Sequence, residues 1–313
     1  MALVSSLTVL LPIYNGARFL PEQLESLQNQ TDHDFSVLLQ DDGSTDETLS
    51  ILQDLQHDPL FAFGKESGQH LGAKGNFLSL MRQADSPYIA LCDQDDVWEP
   101  ERLSLEKQLI EEAEKKYGAD TPILVHSDCA VTDEDGHILH ESFFAHQGWD
   151  PKANTLPRLL VQNNVTGCTV LMNQALCRLV ATHADPQKIF MHDWFLAMTA
   201  AAFGHILFID QPLVRYRQHG DNAVGASKNN LGSRALNAIK NPSLVKERIA
   251  LTYEQAAVFL DSYGNELPDQ AKQVVDSYLR TKELPKFRRI RALRRGGYTM
   301  QSRTARWGQM LFG

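Results

Sequence analysis

Nothing in this chain of 313 residues approaches the run of roughly 18 apolar residues that spans a bilayer, so it offers no candidate transmembrane helix. Cysteine is scarce as well. The four that occur, Cys92, Cys129, Cys168 and Cys177, form no CxxC pair, which argues against a zinc site or a disulfide framework and fits a reducing compartment. The segment Met1 to Leu11 lacks a basic region and a long apolar stretch. A secretory signal is therefore not expected, and the expected location is cytoplasmic. Internal repeats and low-complexity tracts are missing too. An apolar fraction of 43% and a charged fraction of 22% describe an ordinary globular chain, long enough for one large domain or a domain with an appendage.

One stretch without acidic residues is also strongly basic. Lys286 to Gly313 holds eight Lys or Arg and no Asp or Glu, so residues 1–285 carry a net −17 against −9 for the whole chain. An acidic body repels nucleic acid and leaves the tail as the part suited to an anionic surface. Within it, Lys286-Phe287-Arg288-Arg289-Ile290-Arg291 is followed by Trp307, Met310, Leu311 and Phe312 at i, i+3, i+4 spacing. Basic residues mixed with aromatic anchors fit an interfacial segment on an anionic leaflet, and equally a helix packed on a partner subunit.

Hydrophobic patterning predicts alternating strands and helices. Leu7 to Leu11 reads as a buried strand ending at Pro12 and turning through Asn15-Gly16, and Phe19 to Gln30 as an amphipathic helix. Strand 35–40 comes next, with a helix capped by Thr45 or Asp46 behind it, and then a short strand at 60–63. Helix Gly75–Ala84, strand Tyr88–Cys92 and the charged helix Pro100–Tyr117 complete the first half. Strand 123–132, a turn at Asp133 to Gly136, an irregular loop over 141–165, strand 168–172, helices 173–183 and 192–203 and strand 205–209 follow. From about residue 231 the pattern is helical only. This is an α/β fold with a mixed, mostly parallel sheet flanked by helices over residues 1–225, and a helical region over 226–313.

Carboxylates cluster where two of these strands end. Asp41-Asp42-Gly43-Ser44-Thr45-Asp46 follows the first, and Asp93-Gln94-Asp95-Asp96 the second. Ligands of open α/β sheets bind outside the carboxyl ends of the strands. Asp93 and Asp95, at i and i+2 on a turn, can converge on a hard cation such as Mg2+ or Mn2+ that holds a diphosphate; an acidic turn capping the next helix is the plainer reading. Asp41 or Asp42 can accept from N3–H of uracil or thymine, while Ser44, Thr45 and Asp46 serve the helix start.

Val9-Leu10-Leu11-Pro12-Ile13-Tyr14-Asn15-Gly16, the DDGSTD stretch and Asp93-Gln94-Asp95-Asp96-Val97-Trp98 resemble the inverting glycosyltransferases of family 2, which have the GT-A fold. The resemblance runs from about Leu7 to Ala223, and CDQDDVW with Arg215-Tyr216-Arg217-Gln218-His219-Gly220 is most similar to the bacterial rhamnosyltransferase-like branch that builds cell-surface polysaccharide or O-antigen. It implies a dTDP- or UDP-linked sugar donor, plausible first as dTDP-L-rhamnose, a glycan or lipid-linked acceptor, and Mg2+ or Mn2+. It further implies that Pro12, Tyr14 and Asn15 border the nucleotide, with Asp41 or Asp42 at the base. Asp93 faces ribose or metal, and Asp95 is the main metal ligand. Lys74 either approaches the diphosphate or is a solvated lysine. Met191-His192-Asp193-Trp194 stands where the family has its ED pair, so Asp193 matches the catalytic base and His192 replaces the glutamate. Gly167, in Asn164-Val165-Thr166-Gly167-Cys168, lines the sugar, and His219 either completes the metal shell or is structural.

Two other functions fit a nucleotide-binding α/β chain. A sugar nucleotidyltransferase would carry a glycine-rich basic loop near its start, and Pro12 to Arg18 supplies little of one. A non-catalytic glycan-binding protein would have no use for Asp93, Asp95 and Asp193 together.

Overall fold

A computed structural model describes residues 5–65, 68–220 and 242–312. The expected boundary at 225/226, the helical stretch 231–241 and the end of the family resemblance at Ala223 lie outside the described residues.

Strand β1 (Leu7–Ile13) is buried along its whole length, as a strand covered on both faces must be. It pairs in parallel with β2 (Phe35–Asp41) on one side and with β4 (Tyr88–Leu91) on the other, and β2 carries β3 (Phe61–Phe63) at its outer edge. Pairing with β4 stops at Leu10, so Pro12 sits where its missing N–H removes no ladder bond. β8 (Val170–Asn173) lies antiparallel between β4 and β6 (Ile123–Thr132). β9 (His205–Arg217) runs parallel to β6, and β5 (Val97–Trp98) pairs antiparallel with β9. With β7 (Ile138–His140) against β6, the described residues form a nine-stranded sheet in the order β3-β2-β1-β4-β8-β6-β9-β5.

The alternation of strand side chains divides the core into two layers. Leu7, Val9, Leu11 and Ile13 of β1 join the layer holding Leu20, Leu24 and Leu27 of α1 (Leu20–Gln28) and Leu103 and Ile110 of α4 (Arg102–Tyr117). Leu10 faces the other layer, with α3 (Gly72–Met81), α7 (Gln174–His183) and α8 (His192–Phe203). Tyr253 and Phe259 of α9 (Pro242–Tyr263), Val275 and Tyr278 of α10 (Asp269–Arg280), Leu293 of α11 (Lys286–Gly296) and Met310 of α12 (Arg303–Phe312) belong to the same layer, so the C-terminal helices share the core of the sheet. No helix among the described residues is long and apolar enough to cross a membrane.

The expected elements are present and, apart from the end of the last strand, their ends lie within three residues of those expected. The expected loop over 141–165 is corrected: it contains α5 (Phe143–Gln147) and α6 (Leu156–Leu159). A buried carboxylate starts α5: Asp128 on β6 accepts from the N–H groups of Phe143 (3.1 Å) and Phe144 (3.3 Å) and from the Ser142 hydroxyl. The strand expected to end at 209 continues to Arg217, its register against β6 shifting at Asp128, where that carboxylate turns away. α2 (Thr48–Asp54) begins later than expected, with Asp46 accepting from the N–H of Thr48.

Candidate active site

The carboxyl ends of β1, β2 and β4 open onto one edge of the sheet, and side chains stitch their loops together. Asn15 takes a left-handed conformation, φ 46°, that asparagine tolerates. This aims its Oδ1 at the N–H of Thr45 (2.8 Å), while its own N–H donates to Ser44 Oγ (2.9 Å). The N–H groups of Gly16 and Ala17 donate to Thr48 Oγ1 and Asp46 Oδ2. From the β4 side, the Gln94 amide closes both polar groups of Tyr14: its Oε1 accepts from Tyr14 N–H (2.8 Å) and its Nε2 donates to the Tyr14 carbonyl (2.9 Å). Gly16 gives Gln94 the space to do this, since a Cβ there would lie 2.5 Å from Oε1.

The first acidic tip is already partnered. Asp42 is buried, and its two oxygens accept from the N–H groups of Leu71 and Gly72 (2.7 Å each), so it caps the start of α3. His70 lies 3.1 Å from the same carboxylate and packs against the exposed ring of Tyr14, centroids 4.5 Å apart. Asp41 is half-buried and closes its own turn, accepting from the N–H groups of Gly43 and Ser44 (3.0 Å each). Pro12 is buried beneath this corner and Asn15 is exposed at its rim. Lys74 turns toward the segment ahead of α8, its Nζ donating to the Ile189 carbonyl (2.8 Å).

The second tip concentrates charge. Asp93 is pushed up to about 7, first by burial and then by the charges of Asp95 and Asp193, with Arg102 pulling it back. Burial, then Asp95 and Asp93, hold Asp96 well above the carboxylate range, and Arg217 N–H donates to its Oδ1 (3.0 Å). Ligating atoms of Asp93, Asp96 and Cys168 all lie within 4.8 Å of one another, but Cys168 is fully buried and its thiol is itself held far above its usual range by burial. Asp95 faces out of this knot toward His219, whose Nε2 is 2.6 Å from Oδ2. The His219 ring stacks on Phe19 at 4.7 Å.

Asp193 opens α8 on the far side of the crevice. Burial raises it to about 6, against hydrogen bonds from the N–H groups of Trp194 (2.6 Å) and Gly167 and from the Asn163 side chain. Gly167 lies against it: a Cβ there would stand 3.4 Å from Asp193 Cβ and 3.3 Å from His192 Nε2. His192 is buried and stacked on Phe77 at 4.3 Å; its ring nitrogens have no hydrogen-bond partner among the described residues, and burial lowers it to about 3. It is neutral at working pH.

Sequence reasoning singled out Asp93, Asp95, Asp193, Gly167 and His219 but missed their supports. Arg102 is fully buried, 3.3 Å from Glu106 and with its guanidinium 3.5 Å from the Trp98 ring centre, and it is the cation nearest in effect to Asp93. Its only signal was an Arg/Glu pair at i, i+4 on a helix that looked solvated. Gln94, His70 and Asn163 carried no signal of their own.

Three comparisons bear on this arrangement. A model of the glycosyl transferase family 2 matches residues 8–179. The chain is similar to the dTDP-rhamnosyl transferase RfbG of Shigella flexneri, 28% identical over 227 residues that cover 68% of this chain and 73% of RfbG. It is also similar to the uncharacterized glycosyltransferase RT0329 of Rickettsia typhi, 21% identical over 72% of this chain and 67% of that protein. Among solved structures, S. aureus TarS 1–349 in complex with UDP-GlcNAc matches with a TM-score of 0.56 and 18% identity, covering 93% of this chain and 89% of that one. The mannosyltransferase PcManGT from Pyrobaculum calidifontis, in complex with GDP-Man and Mn2+, matches with a TM-score of 0.51 and 15% identity, covering 94% and 73%. The fold is that of the GT-A glycosyltransferases, and the chain belongs to glycosyl transferase family 2.

Proposed function

We propose that the protein is an inverting glycosyltransferase that moves a sugar from a nucleotide-diphosphate donor to a growing cell-surface polysaccharide or lipid-linked glycan, met at the inner face of the cell membrane. The donor is dTDP-L-rhamnose, which the likeness to RfbG supports. One observation carries the reading: Asp193, raised to about 6 by burial, lies near enough to Asp93 to raise it, with Gly167 packed against its side chain. A carboxylate tuned to that range takes a hydroxyl proton near neutral pH.

In this reading the Tyr14 and His70 rings flank the base, and Asp41, with Asp42 fixing the corner, accepts from its N3–H. Pro12 and Asn15 shape the same wall, and Lys74 sets the segment leading into α8. The acceptor oxygen bonds to the anomeric carbon from the Asp193 side. The bond from that carbon to the diphosphate breaks, and the hydroxyl proton goes to Asp193. Inversion follows from the single displacement.

The acidic tip suits a hard divalent cation, because Asp93 carries repulsion from Asp95 and Asp193 that Arg102 offsets only in part. Asp93 and Asp95, with His219 beside them, would hold Mg2+ or Mn2+, whereas burial disfavours the charged forms of Asp96 and Cys168. Held there, such an ion would supply charge neutralisation for the departing diphosphate.

The test is a panel of nucleotide sugars assayed for donor hydrolysis with and without Mg2+ or Mn2+. The reading expects dTDP-L-rhamnose to be turned over fastest, and only with metal. Hydrolysis of none of the panel, with or without metal, contradicts it.

A further inference from the structure

Two of the most exposed large apolar side chains of the described residues lie near the C-terminal end, on different helices. Phe287 at the start of α11 is 89% exposed, Trp307 on α12 is 69% exposed, and Leu311, one turn beyond it, is 50% exposed. The sequence grouped Trp307 with Met310, Leu311 and Phe312, and the structure splits that group. Met310 is buried, and Gly308 lies against α9, a Cβ there meeting Val245 at 3.2 Å. With that face of α12 spent on the core, Arg303, Trp307 and Leu311, spaced four residues apart, are left on the outside.

The two helices are tied at this surface. Lys286 Nζ donates to the Leu311 carbonyl (2.9 Å), which fixes the residue before Phe287 to the helix carrying Trp307. Arg306 is bound to the carbonyls of Met300 and Gln301 and so holds the turn between them. Around the apolar residues Arg288, Arg291, Arg294, Arg295 and Arg303 are exposed, and no acidic residue occurs from Lys286 to Phe312. Elsewhere four arginines are ion-paired: Arg18 with Glu134, Arg102 with Glu106, Arg215 with Glu99 and Arg217 with Glu22. The core does not need Phe287 or Trp307 outside, and solubility alone does not call for uncovered aromatics.

From this surface we infer that α11 and α12 form a docking face for an anionic lipid leaflet. Phe287, Trp307 and Leu311 enter the headgroup boundary, and the arginines lie against lipid phosphates. Charge complementarity selects this occupant over a neutral bilayer, and the aromatic tips select it over a soluble polyanion, which has no apolar layer to receive them. The inference stands apart from the transfer reaction, since none of these residues borders the acidic crevice.

The test is flotation of the full chain with vesicles of neutral lipid alone and with about 30% anionic lipid, at about 0.1 M salt. Binding to the anionic vesicles should be at least about tenfold stronger, and the variant F287S/W307S/L311S should lose about tenfold or more of it with an unchanged melting temperature. Brominated acyl chains should quench the fluorescence of bound wild type, with the effect much reduced in Trp307→Phe. Equal binding by wild type and the triple variant overturns the inference. So does equal affinity for duplex DNA, or a dimer that the triple variant abolishes while wild type ignores vesicles. Donor hydrolysis, measured in parallel, should be the same in both proteins.

Discussion

Asp193, on the first turn of α8, raises the proton affinity of Asp93, on the loop after β4, so two carboxylates from opposite halves of the sheet share one electrostatic environment. Burial is the largest cause of both shifts, and the neighbouring carboxylate adds to that of Asp93. Asp93 and Asp193 are therefore poised to change charge close to neutral pH, where an enzyme of this kind would use them.

The pH profile of donor turnover follows from that poise. Asp193 must be ionised to accept a proton, so the rate should rise about tenfold per pH unit below about 6 and level off above it. A limb centred near the ordinary carboxylate range, about 4, contradicts the assignment.

Stability moves the other way. A carboxyl raised above its unfolded value favours the fold most below the unfolded value, 3.8, and the contribution is lost as pH rises through the folded value, about 7 for Asp93. Asp93→Asn removes this penalty. Its melting temperature should exceed that of wild type by about 2–4 °C at about pH 8, equivalent to about 1 kcal/mol, with a smaller gain at about pH 5. Calorimetry checks this, and a gain that grows on acidification contradicts it. Mg2+ should raise the melting temperature of wild type and leave that of Asp93→Asn nearly unchanged.

Much of the fold was readable because β1, β2 and β4 are short apolar runs closed by strong turn residues, with amphipathic helices between them. The two acidic tips were readable for the same reason, since each directly follows such a run. Partners brought from far along the chain were not. Asp96 meets Arg217 from the distant β9, and even the nearer pairs, Arg102 with Leu91 and Asp128 with Ser142, join residues of different elements that share no periodic pattern. Capping by Asp128 sets the five-residue helix Phe143–Gln147, and neither it nor the four-residue helix Leu156–Leu159 is long enough to leave a periodic trace.

The Gln94 clamp should show as coupling. Gln94→Ala frees the loop bearing Tyr14, and donor KM should rise about three- to tenfold. Gly16→Ala forces Gln94 out of the same place and should do about as much alone, yet add little in the Gln94→Ala background. Fully additive effects on KM contradict the clamp.

Gly167 makes a sharper demand. Its Cβ would press on Asp193 and His192, and His192, stacked on Phe77, has little room to move. Gly167→Ala should lower turnover by about tenfold or more and shift the acid limb of the pH profile, with donor binding retained. An unchanged rate and profile would show that the base tolerates a side chain there.

The most direct measurement is titration calorimetry with dTDP-L-rhamnose alongside transfer to acceptor, for wild type and Asp193→Asn. Donor affinity should stay within about threefold while transfer falls by about a hundredfold or more. Transfer at the wild-type rate by Asp193→Asn, with donor bound normally, contradicts the account.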